Sequence, residues 1–101
     1  MEHRGQLELL LLASLATAPA HGYGLIERLR DRSGGAFDYP EGTIYPALHK
    51  LEAGGLVSSR WQDAGPRRRR VYALTRRGRA ALARERTSWH AFVRAVEAVT
   101  R

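Results

Sequence analysis

Apolar residues recur along the chain at helical spacing in several segments, interrupted once by two short runs that favour strands. Leu7, Leu10, Leu11 and Leu15, with Ser14 among them, form the first stripe, and Leu9 and Leu12 are apolar beside it. This predicts a first helix buried on more than one side. Met1 to Gly5 reads as a loose start. Ala18, Pro19 and Ala20 end the helix, because the residue before a proline is pushed out of the helical region. Tyr23, Ile26 and Leu25 or Leu29 mark a second helix closed by Gly34 and Gly35, with Glu27, Arg28, Arg30, Asp31 and Arg32 as its solvated face. A third lies within Glu41 to Leu56. Ile44, Leu48 and Leu51 give its apolar face, Thr43, Tyr45, His49 and Lys50 lie on the others, and Gly54 and Gly55 stop it. Pro46 is tolerable only among the first donors, which have no intrahelical partner, so the predicted start falls at Pro40 to Thr43.

Leu56 to Trp61 and Arg70 to Leu74 follow, with Val57, Trp61, Val71 and Tyr72 as strand formers. Between them, Gln62 to Arg69 contains the turn residues Asp63, Gly65 and Pro66, which makes a hairpin with a basic tip. Thr75 then caps a fourth helix that no proline interrupts to Arg101. Along it Leu82, Trp89 and Val96 are spaced by seven, and Phe92, Val93 and Val99 fill the other half of a coiled-coil-like seam. Three short helices, a two-stranded wing and a last helix are the order of a winged helix-turn-helix. The expected fold class is mainly α with that wing, residues 1–75 forming the winged helix-turn-helix and residues 76–101 a terminal helix that packs with the first helix as one structural unit.

A chain of 101 residues supports one core, and a long terminal helix on it wants a partner. The absence of cysteine removes disulfide scaffolds, thiolate nucleophiles and cysteine-based zinc sites. No apolar run is long enough for a bilayer and no secretory pattern opens the chain, so a soluble cytoplasmic protein is expected. The net charge of +7 is unevenly placed: Arg60 to Arg86 holds ten arginines against Asp63 and Glu85, a net +8, and the remainder sums to −1. Such a patch is the footprint of phosphate-backbone binding. An arginine-rich proteome is an alternative account of the total, less so of the clustering. Arg76, Arg77 and Arg79 fall in the first turn of the last helix, where its dipole disfavours cations by up to about 1 kcal/mol each. A nearby phosphate would offset that, and bending into solvent is the alternative.

Enzymatic readings find little support. GYGLIE begins like a dinucleotide loop, but Glu27 stands at the third glycine position and no strand precedes it. His3, His21, His49 and His90 lack the short spacing of a metal pair, and His21 suits bonding of a helix start. No catalytic set, metal or cofactor is expected, although a zinc or cadmium sensor formed at a dimer interface stays open as an alternative.

HGYGLIERLR, EGTIYPALHKLEAGGLV and RRRRVYALTRRG follow in that order between Leu7 and Gly78, and together they resemble the second helix, recognition helix and wing of the PadR family of bacterial transcriptional regulators. The single C-terminal helix is similar to the family's short subclass. The resemblance implies a homodimeric repressor on a pseudo-palindromic duplex DNA operator, released by a small planar aromatic or drug-like effector. It implies that Thr43, Tyr45 and Lys50, with His49 beside them, face the major groove. Tyr23 would touch the phosphate backbone, and Arg67, Arg68, Arg69 and Arg70 phosphates or the adjacent minor groove. For Tyr23 and Tyr45 the alternative is a core role, and Tyr72 is expected to pack under the wing. The resemblance further implies that Trp89 faces its twin across the dimer and stacks the effector, with Val93 beside it and Glu8, Leu9 and Leu12 as the opposite wall. Arg84 and Arg86 weigh against a wide pore there. The dimer seam would comprise Leu82, Trp89, Phe92, Val93, Val96 and Val99. Two other classes stay open: a winged-helix module for protein–protein interaction, against which the +8 patch argues, and an RNA binder. Exposed aromatics among the basic residues would favour the latter, whereas Trp61 and Tyr72 are placed at the wing base.

Overall fold

A computed structural model describes the backbone of residues 3–101 and the side chains of residues 6–63 and 65–101. The elements are α1 (His3–Thr17), β1 (Ala20–His21), α2 (Gly22–Arg32), α3 (Glu41–Ala53), β2 (Val57–Ala64), β3 (Arg67–Leu74) and α4 (Arg76–Thr100). The expected loose start to Gly5 is corrected, since α1 already runs from His3; Met1, Glu2 and the His3 side chain lie outside the described residues.

Leu11, Leu12 and Leu15 of α1 are at most 2% exposed and meet Leu25 and Leu29 of α2, Ile44, Leu48 and Leu51 of α3, and Val57 and Tyr72 of the sheet. Burying each such side chain stabilises the fold by about 1.5–3 kcal/mol. The buried stripe of α2 is Leu25, Ile26 and Leu29; Tyr23, placed on it by periodicity, is 55% exposed. Arg28 leaves the solvated face assigned to it. Its Nη1 donates to the carbonyls of Ser14 (2.9 Å) and Ala18 (3.0 Å), placing a cation over the C-terminus of α1, where helix carbonyls lack partners and the dipole is negative.

In α3 the Thr43 and Ile44 N–H groups both donate to Pro40 O, at 3.0 and 3.1 Å. Pro46 therefore sits inside the helix and beyond its free donors, contrary to expectation. Its missing N–H deprives the carbonyl of Gly42, an exposed residue around which space is open. At the other end Gly55 takes φ +78°, Leu56 N–H donates to Leu51 O and Gly55 N–H to Glu52 O, both at 3.0 Å. That pair of bonds is a Schellman closure, which requires the left-handed residue.

The sheet has three antiparallel strands in the order β1-β3-β2 rather than two. β2 and β3 pair from Val57↔Leu74 to Ala64↔Arg67 around a two-residue Gly65–Pro66 turn with Gly65 at φ +65°. Both strands outrun their predicted ends, so Arg67, Arg68 and Arg69 lie not in a loop but on the strand expected to begin at Arg70. Alternation puts Arg68 and Arg70 on the face of Trp61 and Asp63, and Arg67 and Arg69 on the other.

Thr75 Oγ1 accepts from Gly78 N–H (3.0 Å) and donates to Gly55 O (2.7 Å), capping α4 and tying it to the end of α3. A Cβ on Gly78 would fall 2.0 Å from Leu56 O. Ala81 and Leu82 enter the core with α1, but Trp89, Phe92, Val96 and Val99 are 36%, 44%, 43% and 84% exposed. The seam predicted for a partner is thus corrected at Leu82, which is 4% exposed in its own protomer's core. No helix among the described residues is long and apolar enough to cross a membrane.

Candidate nucleic-acid interface

At 100° per residue, the side of α3 opposite Ile44, Leu48 and Leu51 is formed by Gly42, Pro46, His49 and Lys50, all exposed. Thr43 is half-buried on the flank nearer α1. Lys50 Nζ lies 3.2 Å from Glu8 Oε1, and the two share a pocket of about 400 Å³ with Leu7, Thr43, Pro46 and Ala47.

Tyr45, on the opposite flank, is half-buried against the first turn of α2. A Cβ on Gly22 would lie 2.5 Å from its ring, so glycine is the residue that lets the ring settle there. Burial first, then Glu41 and Tyr23, push the Tyr45 phenol above its ordinary value, which keeps its hydroxyl protonated.

An open groove of about 830 Å³ runs between α2, α3 and the wing, with Tyr23, Tyr45, His49, Trp61 and Arg67 to Arg70 on its walls. Trp61 is 55% exposed and not packed at the wing base as expected. The guanidinium carbons of Arg68 and Arg70 stand 5.1 and 5.4 Å from its ring centroid, within cation–π range. Arg70 also donates through Nε to Ser59 Oγ (2.7 Å), which donates to Glu52 Oε2 (2.5 Å), with Arg70 Nη2 3.9 Å from Glu52 Oε1. This relay fixes the wing to the last turn of α3. Arg68 and Asp63 approach to 3.8 Å, but both are largely exposed and the pair holds little energy. Tyr72 packs under the wing as expected, 1% exposed.

The structure therefore gathers Tyr23, Tyr45, His49 and the four arginines around one groove and leaves Thr43 and Lys50 on the α1 side of α3. Glu52, Ser59 and Trp61 were missed as organisers. Only the strand register, which sets Trp61 opposite Arg70 and Ser59 opposite Tyr72, could have revealed them. At the start of α4, the Arg77 guanidinium sits beside Gly55, over the C-terminus of α3, where a cation is favoured. Arg76 and Arg79 stay exposed.

The residues considered for an effector are dispersed. Leu12 is 1% exposed in the protein's own core, where the expectation had it on a pocket wall. Glu8 turns to Lys50, Leu9 and Val93 are half-buried, and Trp89 packs on Phe92 with centroids 5.8 Å apart. Among the described residues, no group of histidines and carboxylates is placed to hold a metal ion.

A helix presented beside an arginine-bearing strand hairpin, on a three-helix core with a projecting last helix, defines a winged helix-turn-helix of the DNA-binding regulator class. The model of the transcriptional regulator PadR-like family matches residues 11–84. The transcriptional regulator Rv3488 of Mycobacterium tuberculosis is 39% identical over 93 residues, spanning 92% of this chain and 84% of that protein. A PadR family transcriptional regulator from Eggerthella lenta superposes with a TM-score of 0.85 at 32% identity, over 97% of this chain and 84% of that one. A transcriptional regulator from Clostridium thermocellum shares the fold at a TM-score of 0.90 and 21% identity, covering 97% and 96% of the two chains. The chain belongs to the PadR-like family, whose members are transcriptional regulators and not enzymes.

Proposed function

We propose that this protein is a sequence-specific DNA-binding repressor that works as a homodimer in the cytoplasm and is released by a small planar aromatic or drug-like effector. The observation that carries the reading is the groove itself: Tyr45 and His49 of α3 and the arginines of β3 border one open, basic concavity, and the exposed side of α3 continues from its edge. Phosphates along that groove would position the protein, while His49, Lys50, Thr43 and the outer rim of α3 meet base edges. Gly42 and Pro46 on that rim offer no side-chain hydrogen bond, so DNA shape and half-site spacing supply much of the specificity. Two copies joined through Trp89, Phe92, Val93, Val96 and Val99 would set their α3 helices into successive major grooves about 10 base pairs apart.

An effector between the twin Trp89 rings would change the pose of α4 and of α1 packed on its start. The Glu8–Lys50 link makes α1 a direct route to α3. The test is affinity for duplex DNA across a salt series, with log K expected to fall by roughly 0.9 per neutralised phosphate per decade of salt. A shallow slope without preference for selected DNA overturns the reading. For the effector, quenching of Trp89 in a Trp61→Phe background by planar aromatic compounds is expected, and unchanged fluorescence across the series overturns that part.

A further inference from the structure

Both ring nitrogens of His21 face hydrogen-bond donors. Gly24 N–H donates to Nδ1 at 3.0 Å, capping α2, and Nη1 of Arg69 lies 2.9 Å from Nε2. A neutral imidazole has one acceptor nitrogen, and guanidinium keeps its protons. The Gly24 N–H is held by the backbone, so for the neutral ring we assign Nδ1 as the acceptor and place the hydrogen on Nε2. Within the chain, then, His21 Nε2–H and the Arg69 guanidinium meet donor against donor, an arrangement that becomes favourable when one external acceptor takes both.

The register makes this meeting a built feature. β1 is two residues long, and its pairing sets His21 opposite Val71. Arg69 lies two residues before Val71 on the same face of β3, next to the imidazole. Both side chains line the open groove. Glu27 and Glu41 line it too, yet neither forms an ion pair with Arg69 among the described residues.

We infer that His21 and Arg69 form a two-donor clamp for one backbone phosphate of duplex DNA at the entry to α2; the inference rests on the DNA-binding reading above. The HGY sequence then divides by role. His21 donates to the phosphate while capping α2, Gly22 makes room for Tyr45, and Tyr23 stands exposed beside them. Arg69 is assigned to the α2 side of the groove, and Arg67 and Arg68 are the arginines of the wing tip.

The test uses the full chain and a duplex that the wild-type protein selects from a randomised pool, beside a random-sequence duplex. His21→Ser keeps a strong capping oxygen but has no donor at the Nε2 position. It is expected to leave the thermal midpoint nearly unchanged and to weaken binding to both duplexes by about tenfold, as the loss of a hydrogen bond to a charged group. Ethylation of one phosphate per half-site should block the wild type and be silent in His21→Ser. Arg69→Ala, which leaves the cap intact, should silence the same phosphate, and the double variant should lose less than the product of the single losses. Wild-type affinity and an unchanged ethylation pattern in His21→Ser or Arg69→Ala would reduce His21 to a helix cap and overturn the clamp. Failure of the wild type to select or bind any duplex overturns the DNA-binding reading itself, before any variant is compared.

Discussion

Lys50 Nζ and Glu8 Oε1 stand 3.2 Å apart, so a side chain at the outer edge of α3 is tied to α1. The pair is half-exposed, with side chains 66% and 33% accessible, and such pairs contribute about 0–1 kcal/mol to stability. Its effect lies in where the lysine charge points. Glu8→Gln is expected to leave stability within about 1 kcal/mol of wild type and, by releasing Lys50 toward the base edges proposed for it above, to strengthen binding to a selected duplex a few-fold more than to a random one. Titrations of both proteins on the two duplexes check this; an equal effect on both would mean that Lys50 does not read base edges.

Two glycines are held by close approach, with different neighbours. At Gly22 an added Cβ meets the Tyr45 ring at 2.5 Å, whereas at Gly78 it meets the Leu56 carbonyl oxygen at 2.0 Å. A ring can turn aside; a carbonyl accepting the Thr75 N–H at 3.2 Å cannot without opening the α4 junction. Gly22→Ala should cost roughly 1–3 kcal/mol, as overpacking does, and less in a Tyr45→Ala background. Gly78→Ala should cost more than Gly22→Ala in any background. Urea midpoints of the variants provide the comparison.

Trp61 positions charge without carrying any. Trp61→Ala leaves Arg68 and Arg70 in place but removes the ring they lie over, so DNA affinity should fall a few-fold while the salt slope stays the same. Arg68→Ala should instead reduce the slope by about 0.9 per half-site. Equal slope changes in the two variants would refute this division of roles.

The helices were legible because Leu11, Leu15, Ile44, Leu48 and Leu51 obey the helical period and Gly55 and Thr75 carry closing and capping chemistry readable from single residues. What escaped depends on tertiary pairing. β1 is too short for any period, and the extra length of β2 and β3 is hidden by a polar, arginine-rich composition that pairs only because the tight Gly65–Pro66 turn fixes the register. Arg28 looks solvated until the end of α1 is placed above it. Tyr23 and Trp61, apolar enough for a core by type, are exposed at the groove, and Leu82, in heptad register with Trp89, belongs to the core. The arginine cluster was legible because its members are neighbours in sequence, whereas the approach of Arg69 to His21 joins segments far apart and no local pattern announces it.

Tyr72 and Tyr45 predict alkaline lability. Burial raises the Tyr72 phenol above 10.0, Arg70 opposes this, and Glu52 and Tyr45 add to it; for Tyr45, burial comes first, then Glu41 and Tyr23. A folded-state value above the unfolded one means that the folded chain holds the proton longer. The associated stability is complete below the ordinary value of 10.0 and is lost as pH rises from there through the folded values. Denaturant midpoints should fall above that point, and less steeply in Tyr45→Phe and Tyr72→Phe. Parallel curves for wild type and both variants would refute the assignment.

The exposed apolar face of α4 lets the proposed assembly be tested apart from folding. Phe92 and Val96 are 44% and 43% exposed in a helix that outruns the core, whereas Leu82, 4% exposed, packs inside it. Phe92→Glu with Val96→Glu inserts charge into the proposed seam while removing nothing from the protomer core. It should give a folded monomer in sedimentation equilibrium and abolish tight operator binding, because two half-sites are no longer engaged together. Leu82→Ala should instead destabilise the protomer by about 2–5 kcal/mol through the lost burial and the cavity left behind. A double-glutamate variant that sediments with the wild-type mass would place the dimer contact elsewhere on the chain, and with it the route from Trp89 to the recognition helices.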